Sequence, residues 1–238
     1  MKLLPSIDLE AGEAVKRVRG VRGTGLRLGD PLALAERIAS YGFKWIHVVD
    51  LDGAEKGAPS PWNLSIVEKI ANDIGVSIEF GGGIRSIEAA IEACSKGVRR
   101  LVIGSAWFHS PGFLDDVVDT TGCQVLAAVE EDSDGRLLSR GWREKERLST
   151  MEALRLIAST KADGVFYTQV WVEGSLGGPS FERVRNVRKE VKGLLIYSGG
   201  VSSIADLEAL EALRVDGVVV GMALYSGKIS WEEAARYA

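Results

Sequence analysis

The sequence predicts an α/β protein, a (β/α)8 TIM barrel with a two-fold half-barrel repeat, and three observations carry that prediction. Eight short apolar, β-prone runs alternate with helix-like segments, the pattern of a parallel sheet covered on both faces. The chain has 238 residues, near the roughly 250 typical of a closed barrel of this kind. Two glycine loops also recur in register. Ile78-Glu79-Phe80-Gly81-Gly82-Gly83-Ile84-Arg85-Ser86 is echoed by Ile196-Tyr197-Ser198-Gly199-Gly200-Val201-Ser202-Ser203, and Leu101–Ala106 by Val218–Ala223. Gly82 to Gly199 and Gly104 to Gly221 are both offsets of 117 residues. An open doubly wound sheet fits less well, because the chain repeats and carries no dinucleotide fingerprint. One domain is expected over 1–238, with half-barrels of about 1–120 and 121–238.

The elements follow in order. Residues 3–8 form a strand ending in Asp8, and 12–29 read as a basic, glycine-punctuated loop holding Lys16, Arg17, Arg19 and Arg22. Asp30-Pro31 supplies an N-cap and a proline at the first helical position, and Gly42 stops that helix. Residues 45–50 are a strand ending in Asp50, 51–60 a loop and 61–72 a helix. Strand 76–80, helix 86–95, strand 100–103 and helix 111–119 complete the first half. The second half repeats the plan: strand 125–130, polar loop 131–147, helix 150–159, strand 164–168, glycine-rich loop 173–179 and helix 181–190. Strand 193–197, helix 204–213, strand 217–220 and helix 230–237 close it.

Composition sets broad limits. A hydrophobic fraction of 46% and a charged fraction of 26% are ordinary for a globular chain with a large core. The net charge of −4 gives no basic footprint of a nucleic-acid binder. No apolar run is long enough to span a bilayer, and Met1–Asp8 is strand-like rather than a signal segment. Cys94 and Cys123 match no metal-ligand spacing. A cytoplasmic protein with reduced thiols is expected, with no membrane or nucleic-acid partner.

In such a barrel the active site lies at the C-terminal ends of the strands. That rule selects Asp8, Asp50, Glu130 and Thr168 together with the glycine loops. Glycines let the backbone approach a ligand, and the following helix N-terminus favours a phosphate. Gly82, Gly83, Arg85, Gly104 and Ser105 form one candidate cradle; Ser198, Gly199, Gly200, Gly221 and Met222 form the other. Asp8 and Glu130, at the ends of strands 1 and 5, lie across the mouth from each other. Two carboxyls in different environments can divide acid and base roles. Arg19, Trp142 and Gly174 are further candidates for substrate contact. Each has a plainer reading: strand-end acids also cap helices, and charge runs are commonly solvated faces. His47 reads as packing and His109 as a loop residue. Nothing resembles a metal-ligand cluster or a nucleophile elbow.

Ile7-Asp8-Leu9, Gly29-Asp30-Pro31, His47-Val48-Val49-Asp50-Leu51-Asp52-Gly53-Ala54, Gly81–Ser86, Gly141-Trp142, Ser198–Ser202 and Gly221–Lys228 together carry a resemblance over the whole chain. They resemble the phosphoribosylformimino-aminoimidazole carboxamide ribotide (ProFAR) isomerase family of histidine biosynthesis. The His-Val-Val-Asp-Leu-Asp-Gly-Ala stretch and the Gly-Trp separate it from the sister cyclase. The resemblance implies an Amadori rearrangement of a bis-phosphorylated aminoaldose to an aminoketose, without metal or organic cofactor. Asp8 matches the family's general base, and Thr168 an assisting residue. A monomer is expected. A second activity on phosphoribosylanthranilate, or a barrel that binds phosphates without catalysis, are the alternatives.

Two departures from the family stand out. Its acid at the end of strand 5 is an Asp. Strand alternation nominates Glu130 for that place, whereas counting back from Gly141-Trp142 nominates Glu131. Glu130 is favoured, because the other choice puts it where the family has an apolar residue. The family's Thr-Asp-Ile-x-x-Asp-Gly-Thr is here Thr168-Gln169-Val170-Trp171-Val172-Glu173-Gly174-Ser175, with both acids changed.

Overall fold

In the computed structural model, which describes the backbone of residues 1–238 and every side chain but that of His109, eight parallel strands close on themselves. They are β1 (Lys2–Glu10), β2 (Trp45–Asp50), β3 (Ser77–Gly81), β4 (Val98–Ile103), β5 (Gln124–Glu131), β6 (Gly164–Gln169), β7 (Leu194–Ser198) and β8 (Gly217–Val220). Each pairs with the next, β8 returns to β1, and β5 pairs with β6, so the ring has no edge. The expected barrel is present.

Strand alternation builds two cores from one sheet. Inward residues Leu4, Val102, Leu126, Ala128, Phe166, Ile196 and Val219 fill the barrel. Outward residues such as Ile7, Val48, Ile78, Leu101 and Val218 pack under the helices. The inward face of the lower barrel is not wholly apolar. His47 Nδ1 lies 2.7 Å from Glu79 Oε1, and Arg100 donates to Glu79 Oε2 at 3.0 Å. A buried charge survives only with such partners.

Local signals set the helix starts. Asp30 accepts from the Leu32 amide ahead of helix Pro31–Ser40. Ser86 and Ser203, again 117 residues apart, cap helices Ile87–Ser95 and Ile204–Ala212. The half-barrel repeat therefore extends from the glycine loops into the caps behind them.

Three expected loops are structured instead. Residues 12–29 form a hairpin, Glu13–Val18 against Val21–Gly29, that continues from β1 through a tight turn with Ala11 and Gly12 at φ +50° and +82°. Residues 131–147 hold a second hairpin, Arg136–Ser139 against Glu144–Ser149. Leu51–Lys56 is a short helix, because the Asp50 side chain caps it. His109 ends a short helix, Ala106–His109, rather than lying in a loop. The thiols also differ from expectation: Cys94 and Cys123 are joined in a disulfide. Their separation of 29 residues hides the fact that the barrel packs the end of one helix beside the start of β5, with Cα atoms 6.5 Å apart. Among the described residues, no helix is long and apolar enough to cross a membrane.

Candidate active site at the strand C-termini

The mouth of the barrel is one cavity. Asp8, Glu130, Thr168, Gly82, Gly83, Arg85, Gly104, Ser105, Trp142, Gly174, Ser198, Gly199, Gly200, Gly221 and Met222 all line it, as the sequence predicts. The two cradles are pinned by backbone geometry. Gly82 sits at φ +117°, and a Cβ there would meet the Asp50 carbonyl at 2.3 Å. Gly199, at φ +114°, would meet the Gln169 carbonyl at 2.7 Å. Neither position tolerates a side chain, because each backbone folds tightly over the neighbouring strand end.

Asp8 reaches the cavity from β1, where its backbone pairs with Val49 of β2 and Val15 of the hairpin. Lys16, on that hairpin, donates to both carboxylate oxygens at 2.8 and 2.9 Å. Lys16 is almost fully buried, lines the cavity and lies against Gly221. Reading the segment as a loop missed this contact. The signal was available: a tight turn at Ala11-Gly12 pairs Glu10 with Glu13 and folds the lysine back beside Asp8.

Glu130 and Glu131 part company by alternation. Glu130 faces the cavity and accepts from Trp142 Nε1 at 2.8 Å. Burial pushes its carboxyl from 4.5 up to about 7, with the indole N–H working against the rise. Glu131 points outward to the Tyr167 hydroxyl and to Arg183, at 3.1 Å from Nη1. Trp142 is aimed by an unusual turn: Arg140, Gly141 and Trp142 all have φ between +51° and +68°. Its ring also packs over Gly20, so the hairpins after β1 and β5 meet above the mouth.

Two of the predicted contact residues lie off the cavity. Asp50 lies outside the cavity and is fully buried, accepting from the Gly53 amide (2.9 Å), the Ser60 amide (2.6 Å) and Asn63 Nδ2 (2.6 Å). It holds the loop behind the first cradle and does not face a ligand. Burial raises its pKa, and those donors oppose the rise. Arg19 is exposed on the hairpin, away from the cavity wall, at φ +50°. Arg17 takes the inward place, paired with Glu10 and Glu55.

Gln169 explains one departure. At the end of β6 it occupies the place that Asp50 has on β2, faces outward, and accepts from the Ser180 amide at 2.8 Å. An amide oxygen serves that purpose as well as a carboxylate, so the change touches loop anchoring and not the mouth. Glu173, the other departure, does line the cavity. Burial raises its pKa, with the charge on Lys16 opposing. His47, expected as packing, lines the floor and stacks on Phe166 with centroids 4.7 Å apart.

The family model described as histidine biosynthesis protein matches residues 2–230. A Natronomonas pharaonis protein is 36% identical over 234 residues, covering 98% of this chain and 97% of its own. A Listeria monocytogenes protein is 35% identical, covering 98% and 96%. A Synechococcus protein is 35% identical, covering 99% and 90%. All three are named 1-(5-phosphoribosyl)-5-((5-phosphoribosylamino)methylideneamino) imidazole-4-carboxamide isomerase. With a model matched over nearly the whole chain and relatives above 30% identity, this protein belongs to the histidine biosynthesis protein family.

Proposed function

We propose that this chain is the isomerase its relatives are named for, converting a bis-phosphorylated aminoaldose to its aminoketose in histidine biosynthesis. One observation carries the reading. Two register-related cradles face each other across a mouth with an acid candidate on β5 and a base candidate on β1. A substrate with a phosphate at each end spans that mouth with its ribose between the two carboxyls.

The chemistry divides accordingly. Glu130, with a carboxyl pushed up to about 7, is still substantially protonated at neutral pH and can act as the acid. It protonates the ribose ring oxygen, and the ring opens to a Schiff base. Asp8 takes the proton from C2, giving an enolamine that collapses to the ketone. Thr168, buried and paired in register with Glu130 and Ser198, holds the floor between them. Arg85, Trp142, Gly174 and Met222 line the walls that receive substrate. The chain acts as one barrel domain and a monomer on a small-molecule substrate.

The test is turnover of the bis-phosphorylated aminoaldose, followed as ketose formed, in the wild type and in Asp8→Asn. Turnover by the wild type, abolished in the variant with substrate affinity largely kept, is expected. Binding without turnover by the wild type would overturn the isomerase reading. Unchanged turnover in the variant would overturn the role of Asp8.

A further inference from the structure

Lys16 occupies a place that the proposed chemistry leaves without a task. The first cradle has its own cation, Arg85, on the cavity wall. At the register-equivalent position, 117 residues on, the second cradle has Ser202. A phosphate dianion bound there finds no cation on its own loops. The ammonium of Lys16 is at hand: a Cβ on Gly221 would lie 2.2 Å from its Cε and 2.8 Å from its Nζ. Yet in the ligand-free molecule Nζ bridges both oxygens of Asp8, at 2.8 and 2.9 Å. The bridging ammonium occupies the syn lone pairs of both oxygens, the more basic side of the carboxylate. Glu173 and His47 face the same cluster. Lys16 is a flexible stem ending in a point charge, so a small rotation separates its two partners.

We infer that Lys16 is a latch released by substrate: its ammonium holds Asp8 in the free protein and is drawn to the phosphate that settles on Gly199, Gly200 and Gly221. Asp8 is then free to accept the C2 proton only once the second cradle is filled. The latch demands a phosphate in this particular cradle, because a substrate that leaves it empty leaves the base engaged. The inference rests on the isomerase reading for the task of Asp8, while the transfer of the ammonium does not depend on turnover.

The experiment uses the whole chain with inorganic phosphate as probe, in the wild type, Lys16→Met and Lys16→Arg. NMR follows the Gly221 and Gly82 amides and the Asp8 carboxyl carbon. Lys16→Met should weaken phosphate at Gly221 about tenfold or more, the scale of one lost charge-assisted hydrogen bond. Phosphate at Gly82 should be unaffected. Saturating phosphate should move the wild-type Asp8 carboxyl resonance to where it stands in Lys16→Met. Lys16→Arg should restore most of the affinity, and it keeps the test open if the methionine variant folds poorly. Equal affinity at Gly221 in all three proteins, or an Asp8 resonance indifferent to phosphate, overturns the latch. In steady-state assays with the aminoaldose, the loss in Lys16→Met should fall on KM more than on kcat. A loss confined to kcat would show that the lysine stays on Asp8 through the chemistry, and would also overturn it. If the wild type does not turn over, the isomerase reading fails and the phosphate titration still decides the latch.

Discussion

Replacing Trp142 by Phe should move the alkaline limb of the pH–rate profile upward. The indole Nε1 donates to Glu130 Oε1 at 2.8 Å, and a donor aimed at a carboxylate favours its charged form. In the wild type this bond partly offsets the burial that carries the carboxyl to about 7. Phenylalanine keeps an aromatic ring beside Gly20 and removes the donor along with part of the indole. A hydrogen bond to a charged group is worth about 1.5–3 kcal/mol net, and one pKa unit about 1.4 kcal/mol, so one to two units are at stake. The mouth admits water that replaces part of the lost bond, so a rise of about one unit is expected. An acid must be protonated to work, so activity falls as pH rises through its pKa. The profile of kcat/KM, which reports the free enzyme, should therefore hold up to about one pH unit higher in the variant. A limb that stays in place while activity drops at every pH would mean that Trp142 contributes stacking alone. A limb that moves downward would refute the argument outright.

Three further outcomes follow from the same geometry. Glu130→Gln should be more stable than the wild type at alkaline pH. The folded carboxyl titrates near 7 against 4.5 unfolded, so the wild type loses stability as pH rises through that window and no difference remains below it. The gap should reach about 2 kcal/mol once the open side of the group is allowed for, and denaturant melts at pH 4 and 9 with no divergence would contradict it. Asp50→Ala should cost about 3 kcal/mol, since it strands buried donors at Gly53, Ser60 and Asn63; a thermal midpoint within about 2 °C of the wild type would show the loop held by other means. Reducing the Cys94–Cys123 bond should lower the midpoint by up to roughly 7–14 °C, because it closes a loop of about 30 residues worth up to about 3.6 kcal/mol; superimposable melts with and without reductant would show that the bond carries no stability.

The barrel and its mouth were legible because both are periodic. Apolar runs alternating with capped helices mark the ring, and a register of 117 residues marks the cradles. The position of a residue at a strand end then tells which way its side chain points. What escaped was decided by the one-residue register between neighbouring strands and by the hairpin after β1. Asp50 and Asp8 look alike in sequence, each an acid closing an apolar strand. Register decides the difference: Asp8 pairs with Val49, which lines the cavity, so Asp50 lies one residue further and faces outward, where Gly53, Ser60 and Asn63 hold it. Charged residues at Lys16, Arg17 and Arg19 disguised that hairpin as a solvated loop, although two of the three are buried.

The glutamate at the end of β5 shows how one departure is absorbed. A side chain longer by a methylene displaces its carboxyl by about 1 Å, enough to cost on the order of a hundredfold in rate if left uncorrected. Here the carboxyl is not left to its own rotamers. Arg140, Gly141 and Trp142, all in left-handed conformations, turn the indole N–H onto Glu130, and packing on Gly20 holds the ring from the other side. Left-handed conformations at non-glycine residues cost energy and persist where surrounding structure enforces them. The strain sits in the turn and the tether at the carboxyl, so the extra methylene and the aimed tryptophan form one unit. Shortening Glu130 to Asp should then withdraw the carboxyl from the indole and lower kcat. A Glu130→Asp variant as active as the wild type would show that the tether is not needed and that the turn serves another purpose.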